Sequence, residues 1–294
     1  MNIFNKQSSL VYPIKKLLHT QSSQKRSAKL MKNINQELLN HVILHKDRIP
    51  HYHKDFPLIL FWSHRSGCTS LANWFFFQIG LFTEAKKYND FIHYYEFWVY
   101  KNSTNYIQQL QNSLLEAKKN VCKLVRNPYT RAVSSFLLLA DNPYASPQWE
   151  SIRHYFYNDK YSNQGISFKQ FLYYVQAFDS NSLALDIHFS QQYVPGEENF
   201  IQCYIPLEDF NTQITKMEHM YDLMKSPLAL FTNSDHHRAH KMIYAGSYAE
   251  LSITDPGFPR FPTYESFYDK ETMDLVTEIY AQDFEMYPYT KGIF

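Results

Sequence analysis

A run of apolar residues that ends in a small polar turn constrains the fold of this chain more than any other feature. Residues 58–62, LILFW, are all apolar, as expected of a strand buried on both faces of a parallel sheet. Residues 63–70, SHRSGCTS, place small and basic side chains in one short connection, and the segment from Leu71 to Ile79 is again almost wholly apolar. The stretch predicts a buried strand, a tight loop and a helix.

The loop of this unit has the properties of an anion-binding site. The start of a helix directs backbone N–H groups and the positive end of the helix dipole at one point. Arg65 adds a fixed positive charge beside several hydroxyl groups, so phosphate or sulfate suits the site. The loop of nucleotide triphosphatases needs Gly-Lys-Ser/Thr, whereas this chain has Gly67-Cys68-Thr69. A loop that merely connects the strand to the helix remains the alternative.

A second predicted strand-to-helix junction carries an arginine. Residues 121–125 predict a buried strand, Arg126 stands at its carboxyl end, and Pro128 suits the first position of a helix. Ligands of open α/β sheets bind at this edge. A guanidinium forms paired hydrogen bonds with phosphate oxygens and stays charged at any relevant pH. Pairing of Arg126 with a carboxylate is the alternative.

Strand and helix patterns alternate along much of the chain. Residues 87–100 are dominated by β-forming types and predict a second strand, and residues 200–205 predict a further one. Helices are predicted at residues 105–118 and 168–175, and a final helix follows the capping candidate Asp269. Such alternation implies an α/β fold whose parallel strands are joined by right-handed crossovers.

Length and charge limit the classes of protein and partner. The 294 residues fit one α/β domain, predicted at residues 56–294, with a helical extension at residues 1–55 that contains an amphipathic helix from Ala28 to His45. The 29 basic and 28 acidic residues give a net charge of +1, so no nucleic-acid partner is predicted. No apolar stretch is long enough to span a membrane, which predicts a cytoplasmic protein.

The cysteines carry a prediction of their own. Cys68, Cys122 and Cys203 are dispersed along the chain and odd in number, which argues against a disulfide framework. We therefore expect three buried thiols in a reducing compartment.

The two junctions resemble the nucleotide-binding motifs of sulfotransferases that use 3′-phosphoadenosine-5′-phosphosulfate (PAPS). The phosphosulfate loop of that family reads approximately Pro-Lys-Ser-Gly-Thr-Thr, or Pro-Lys-x-Ala-Cys-Thr in its carbohydrate branch, and residues 65–69 resemble a blend of the two. Arg126 and Ser134 have the spacing of the family's 3′-phosphate motif. The resemblance implies a P-loop-like three-layer fold with a central parallel sheet flanked by helices, PAPS as sulfuryl donor, the product PAP, and no required metal. It implies these PAPS-binding residues: Arg65, Ser66, Gly67, Cys68, Thr69, Ser70, Arg126 and Ser134.

Two further segments extend the resemblance to about residue 289. Residues 186–192 resemble the His-Trp-x-Pro-Gln segment of the carbohydrate branch, with His188 and Gln192 in the matching places. This implies His188 at the acceptor, although a structural histidine is an equal alternative. The terminal helix resembles that of the same branch through Tyr280, Asp283, Phe284 and Tyr289.

The resemblance also implies catalytic roles. Arg65 stands where the family has a catalytic lysine and is expected to stabilise the leaving oxygen, although an arginine does not readily donate a proton. The base that activates the acceptor is expected to be His93 first and Glu96 second. A basic loop over PAPS implies Arg238, Lys241 and Arg260, and the variable acceptor region contains Tyr144 and Trp149. Zinc binding by His236, His237 and His240 is a weaker alternative because no fourth ligand is apparent.

The sequence thus predicts a PAPS-dependent sulfotransferase that acts on a hydroxyl or amine of a carbohydrate or small natural product. A phosphotransferase with a divergent loop is one alternative class. A protein that binds PAP without turnover is another, because Arg65 replaces lysine. Acceptor identity and oligomeric state are left open by the sequence.

Overall fold

A three-stranded parallel sheet organises the chain in this computed structural model, which describes residues 36–140, 146–180, 182–232 and 241–294. Strands β1 (Leu58–Phe61), β2 (Asn120–Val125) and β3 (Cys203–Pro206) lie in the order β1-β2-β3. The last residue pair of the β1–β2 ladder joins Phe61 to Lys123. The carboxyl ends of the strands therefore lie at one edge of the sheet.

Helices connect and cover these strands. Their bounds are α1 Gln36–Leu44, α2 Cys68–Gln78, α3 Phe82–Tyr88, α4 Ile92–Tyr95, α5 Tyr106–Glu116, α6 Pro128–Phe136, α7 Ser146–Tyr157, α8 Phe168–Ala177, α9 Phe210–Met220, α10 Leu228–Thr232, α11 Lys270–Ile279 and α12 Ala281–Met286. A π-helical turn, Glu96–Tyr100, directly continues α4.

The sheet is buried on both faces, as its apolar strands predict. Leu58 and Leu60 of β1 belong to one apolar cluster with residues of α2 and α9. Ile59 and Phe61 belong to a second cluster with residues of α1 and α5. Successive side chains of a strand point to opposite faces, so this alternation places the sheet between two layers of helices. The predicted α/β class with a central parallel sheet is confirmed.

A third apolar cluster joins α6, α8, α11 and α12. The cluster includes Tyr129 of α6 and Phe284 of α12, and both side chains are buried. Because α6 directly follows β2, this packing fixes the helix that begins at the carboxyl edge of the sheet.

Helix starts follow the predicted local signals. Pro128 is the first residue of α6, and the side chain of Asn127 accepts a hydrogen bond from the Tyr129 N–H. Asp269 caps α11 in a reciprocal capping box with Thr272. Both signals were readable because capping depends on neighbours in sequence.

The predicted strand at residues 87–100 is wrong, since this segment comprises the end of α3, then α4 and the π-helical turn. Its buried residues, Ile92, His93, Tyr95 and Glu96, do not alternate with exposed ones as in a half-buried strand. Tertiary packing outweighs β-propensity here.

The prediction of three free thiols is wrong as well. Cys122 and Cys203 are opposite each other on β2 and β3 and form a disulfide, with their Cα atoms 4.7 Å apart. An odd number of cysteines does not exclude one bonded pair, and 81 residues separate these two along the chain. The argument for a reducing compartment from free thiols therefore fails. Cys68 remains a thiol.

The amino-terminal prediction is tested only in part. The predicted helix from Ala28 to His45 overlaps α1, whose Leu39, Val42 and Ile43 pack into the cluster that covers β1. Residues 1–35 lie outside the described residues, and the boundary between residues 55 and 56 stays a prediction. Among the helices that the structure describes, none is long and apolar enough to cross a membrane.

Candidate active site

The loop between β1 and α2 has a backbone that only certain residues tolerate. Gly67, the N-cap of α2, has a φ of 89°, and a Cβ built on it would lie 2.4 Å from Cδ1 of Leu207. A side chain at this position would meet both backbone strain and a close contact. Arg65 also has a positive φ, 65°. The loop is thus a tight turn that leads from the end of β1 into the start of a helix.

Arg65, Arg126 and Ser134 form one contact cluster. The Nη1 of Arg126 donates to the backbone carbonyl of Arg65 at 2.9 Å. The Nη2 of Arg65 donates to the backbone carbonyl and the hydroxyl of Ser134, at 2.8 and 2.9 Å. The structure therefore brings together two guanidiniums and a hydroxyl that the sequence assigned to two separate motifs.

The Arg126 side chain has further partners. Its Nη2 donates to the hydroxyl of Tyr264 at 2.7 Å, and its Nε donates to the hydroxyl of Thr130 at 3.1 Å. Both partners are uncharged hydroxyls, so neither of them neutralises the positive charge of the guanidinium. Tyr264 belongs to the segment that follows the predicted basic loop.

His93 contacts the start of α2 from α4. Its Nε2 lies 3.2 Å from the hydroxyl of Thr69, and its Nδ1 lies 2.5 Å from Oε2 of Glu96. The other carboxylate oxygen of Glu96 accepts from the Nζ of Lys101 at 2.5 Å. Glu96 is fully buried, so the carboxylate both orients the imidazole and is compensated by the ammonium.

The charges in this network shift the affinity of each group for protons. Burial alone would raise the pKa of Glu96, but Lys101 and two neighbouring histidines hold that pKa well below its ordinary value. Burial alone would lower the pKa of His93, but Cys68 in its thiolate form and the Glu96 carboxylate raise it to about 10. At neutral pH the imidazole is therefore protonated, and it must lose a proton before it can act as a base.

Cys68 is the first residue of α2 and lies beside His93. Burial alone would raise the pKa of the thiol, but His93 outweighs burial and lowers it. A thiol with a lowered pKa is more reactive towards electrophiles near neutral pH.

His188 lies beside the loop rather than within the arginine cluster. Its Nδ1 is 2.8 Å from Oδ1 of Asp186, and its ring centroid is 4.8 Å from that of His64. The backbone carbonyl of His188 accepts from the hydroxyl of Ser135 on α6. These contacts fix the segment against both the loop and α6.

The family of the chain follows from a comparison with known families. A family model described as Sulfotransferase family matches residues 58–290 of the 294. The chain belongs to the sulfotransferase family. No curated protein and no solved structure matches it. Family membership makes this sulfotransferase an enzyme of sulfuryl transfer with a small-molecule acceptor, and the matched range agrees with the resemblance from about residue 58 to residue 289.

Several predicted residues of the sulfotransferase lie elsewhere or outside the described ranges. Trp149 packs against the third apolar cluster and donates to the backbone carbonyl of Leu139, so its ring serves packing. Arg260 is exposed and lies against the ring of Phe261. The candidates Tyr144, Arg238, His236, His237 and His240 lie outside the described residues. Lys241 lies inside them and is partly exposed, and its place over PAPS stays a prediction. Among the described residues no group of three or more His, Cys, Asp or Glu is arranged to hold a metal.

Sequence reasoning missed residues that support the sulfotransferase site from a distance in the chain. Tyr264 contacts Arg126, Lys101 compensates Glu96, and Asp283 accepts hydrogen bonds from the backbone of Gln192. Only Asp283 had a signal, because it belongs to the terminal segment that resembles the family.

Proposed function

We propose that this sulfotransferase has a P-loop-like fold and transfers the sulfuryl group of PAPS to a hydroxyl or amine of a carbohydrate or small natural product. We assign the 5′-phosphosulfate to the loop arm, residues 63–70, and the 3′-phosphate to the arginine arm, Arg126 with Ser134. The contact between the Arg126 guanidinium and the Arg65 carbonyl, at 2.9 Å, carries this proposal. It supports one ligand that reaches both arms at the carboxyl edge of the sheet.

The donor groups of the two arms fit such a ligand. Two guanidiniums supply fixed charge and forked donors, which match the oxygens of phosphate and sulfate. The loop arm adds hydroxyls and the uncapped start of α2, whose backbone N–H groups attract anions. PAPS supplies a sulfuryl group on a good leaving phosphate, so the protein needs mainly to position it and to stabilise charge.

Arg65 and His93 suit the developing charge in different ways. Arg65 has no readily lost proton and acts through its charge alone. The His93 imidazolium, held by Glu96 and close to Thr69, can stabilise negative charge and can also donate a proton. His93 and Glu96 as acceptor bases stay predictions, and His188 at the acceptor does too. The pKa of about 10 favours His93 as a donor in the resting enzyme.

The acceptor side is best supported by exposed rings on the helical segment that carries His93. Phe91, Tyr94 and Trp98 are 39, 41 and 67% exposed. The ring of Phe91 lies 5.0 Å from that of His93, centroid to centroid. Aromatic faces beside a catalytic group suit the apolar faces of a sugar or a small polycyclic acceptor.

The test combines binding with turnover. Thermal shift and calorimetry should show stabilisation by PAP and none by ATP with magnesium. Transfer of labelled sulfate from PAPS should be detected across a panel of sugars and natural products. Arg65→Ala should lower turnover more than PAP binding, while Arg153→Ala, which removes a guanidinium that contacts Trp149, should change neither.

The alternative outcomes are distinct. Stabilisation by ATP with magnesium but not by PAP would overturn the proposal in favour of a phosphotransferase. PAP binding without sulfate transfer to any acceptor would indicate a protein that binds PAP without turnover. The cytoplasmic location stays a prediction from the sequence.

A further inference from the structure

The side chain of Gln192 is fully buried and joins the two arms of the proposed site. Its Oε1 accepts hydrogen bonds from the Ser66 hydroxyl at 2.7 Å and from the Arg126 backbone N–H at 2.9 Å. Its Nε2 donates to the Arg126 backbone carbonyl at 2.8 Å. The Gln192 side-chain amide thus forms hydrogen bonds with the loop arm and with both the N–H and the carbonyl of Arg126.

Asp283 accepts from the Nε2 of Gln192 at 3.3 Å, and the backbone of Gln192 makes further hydrogen bonds. Its N–H donates to the two carboxylate oxygens of Asp283 on α12, at 2.9 and 3.0 Å. Its carbonyl accepts from the Nζ of Lys123 at 2.6 Å. Asp283 and Lys123 are themselves buried, so helix α12 and strand β2 together fix the backbone of Gln192.

The sheet alone does not set the separation of the two arms. The β1–β2 ladder ends with Phe61 opposite Lys123, and both Ser66 and Arg126 lie beyond that pair. The hydrogen bonds among Arg65, Arg126 and Ser134 use side chains proposed to bind the ligand. Arg131 of α6 also donates to the His64 carbonyl at 3.0 Å, but this bond does not reach Arg126. The Gln192 amide differs because it is buried and its hydrogen bonds can persist when these guanidiniums turn to an anion.

We propose that Gln192 is a positioning residue that holds the loop arm and the arginine arm at the separation that one doubly phosphorylated nucleotide requires. This proposal rests on the proposed function and deepens it. It assigns Gln192 to the donor side of the site, whereas His188, four residues earlier, was expected at the acceptor.

The physical consequence is a difference between ligands. When two subsites are held at the correct spacing, binding at the first makes binding at the second an intramolecular event with a high effective concentration. Loss of the Gln192 hydrogen bonds leaves the binding groups of each arm in place but lowers the effective concentration at the second subsite. A ligand that uses both arms should therefore lose more affinity than a ligand that uses one.

The experiment compares Gln192→Met with Gln191→Met in the full chain. Methionine keeps the length of the side chain and removes its hydrogen bonds. Gln191 is a matched control because it is the adjacent residue, is also buried, and its Nε2 donates to the Tyr193 carbonyl and to Gln282. The ligands are PAP, adenosine 3′-monophosphate and adenosine 5′-monophosphate, measured by calorimetry.

For Gln192→Met we expect the PAP affinity to fall by about tenfold or more, with the affinity for each monophosphate changing by less than about threefold. Gln191→Met should leave the ratio of PAP to monophosphate affinity unchanged. If Gln192→Met does not fold, Gln192→Asn takes its place. It keeps an uncharged amide but is one methylene shorter, so it cannot reach Ser66 and Arg126 together and should show the same difference between PAP and the monophosphates.

Two results would overturn the role of Gln192: equal losses for all three ligands, or the same PAP-specific loss in the Gln191 control. A merely structural residue would give equal losses. A wild-type chain that does not bind PAP would instead overturn the proposed function and this role with it. The wild-type measurement therefore separates the two failures.

Discussion

The two strand-to-helix junctions of the sheet, to which we assign the two ends of one nucleotide, differ in the groups that they present. The junction from β1 to α2 makes a turn whose N-cap, Gly67, has no side chain, so the first N–H groups of the helix are not capped from that position. The junction from β2 to α6 is short, and the side chain of its N-cap residue Asn127 accepts a hydrogen bond from the Tyr129 N–H. In the proposed site, the first junction therefore contributes backbone N–H groups and the second contributes the Arg126 side chain.

The largest effect is expected where the backbone junction is broken. Gly67→Ala adds a Cβ at a φ of 89° and 2.4 Å from Leu207. Strain in the left-handed region costs about 1–2 kcal/mol of stability, and the added Cβ displaces either the Leu207 side chain or the loop. We expect PAP affinity to fall by more than about tenfold, by calorimetry.

Gly80→Ala is the matched control for that substitution. Gly80 also has a positive φ, 75°, but an added Cβ there meets no atom within 4 Å. The control should show a similar loss of melting temperature and unchanged PAP affinity. Equal losses of PAP affinity in the two variants would show that the Gly67 effect is only one of stability.

A smaller effect is expected at the side-chain junction. Arg126→Lys keeps the charge but removes the forked donors, so PAP affinity should fall by about tenfold. The affinity for adenosine 5′-monophosphate should not change, because we assign Arg126 to the 3′-phosphate. Arg153→Lys serves as the control, and an equal loss for both nucleotides would contradict the division between the two junctions.

The thiol at the first helix start gives a third test, by alkylation. The pKa of Cys68 is lowered by His93, so its reaction with iodoacetamide should continue to lower pH than that of an ordinary thiol. His93→Gln should move the alkylation profile to higher pH, as followed by mass spectrometry without reductant. Cys122 and Cys203 are bonded to each other and should not be labelled. An alkylation profile that is the same in His93→Gln would show that His93 does not lower the pKa of Cys68.

The smallest effect is expected from the cap of the second junction. Asn127→Ala removes the hydrogen bond to the Tyr129 N–H and should cost about 1 kcal/mol, seen as a lower melting temperature. PAP affinity should change by less than about twofold, since the backbone of this junction is not offered to the ligand. Ser167→Ala, at the cap of α8, is the control for cap loss remote from the site. If Asn127→Ala weakens PAP as much as Arg126→Lys does, the contrast between the junctions fails.

Failed predictions share a physical cause. The segment from 87 to 100 has β-forming residues, but its buried Glu96 and His93 require partners that only the folded chain supplies. Propensity is weak when packing against distant residues decides burial. Likewise, the partnership of Cys122 with Cys203 depends on the order of strands in the sheet.

Local sequence patterns predict three units correctly: the buried strand before Gly67, the helix that begins at Pro128, and the cap at Asp269. These depend on patterns within a few residues, where sterics and hydrogen bonds act between neighbours. The contact of Arg126 with the loop and the hydrogen bonds of Gln192 to both arms become visible only in the folded chain. Contacts of that kind link residues far apart in the chain, because their geometry is set by how strands and helices pack rather than by any one segment.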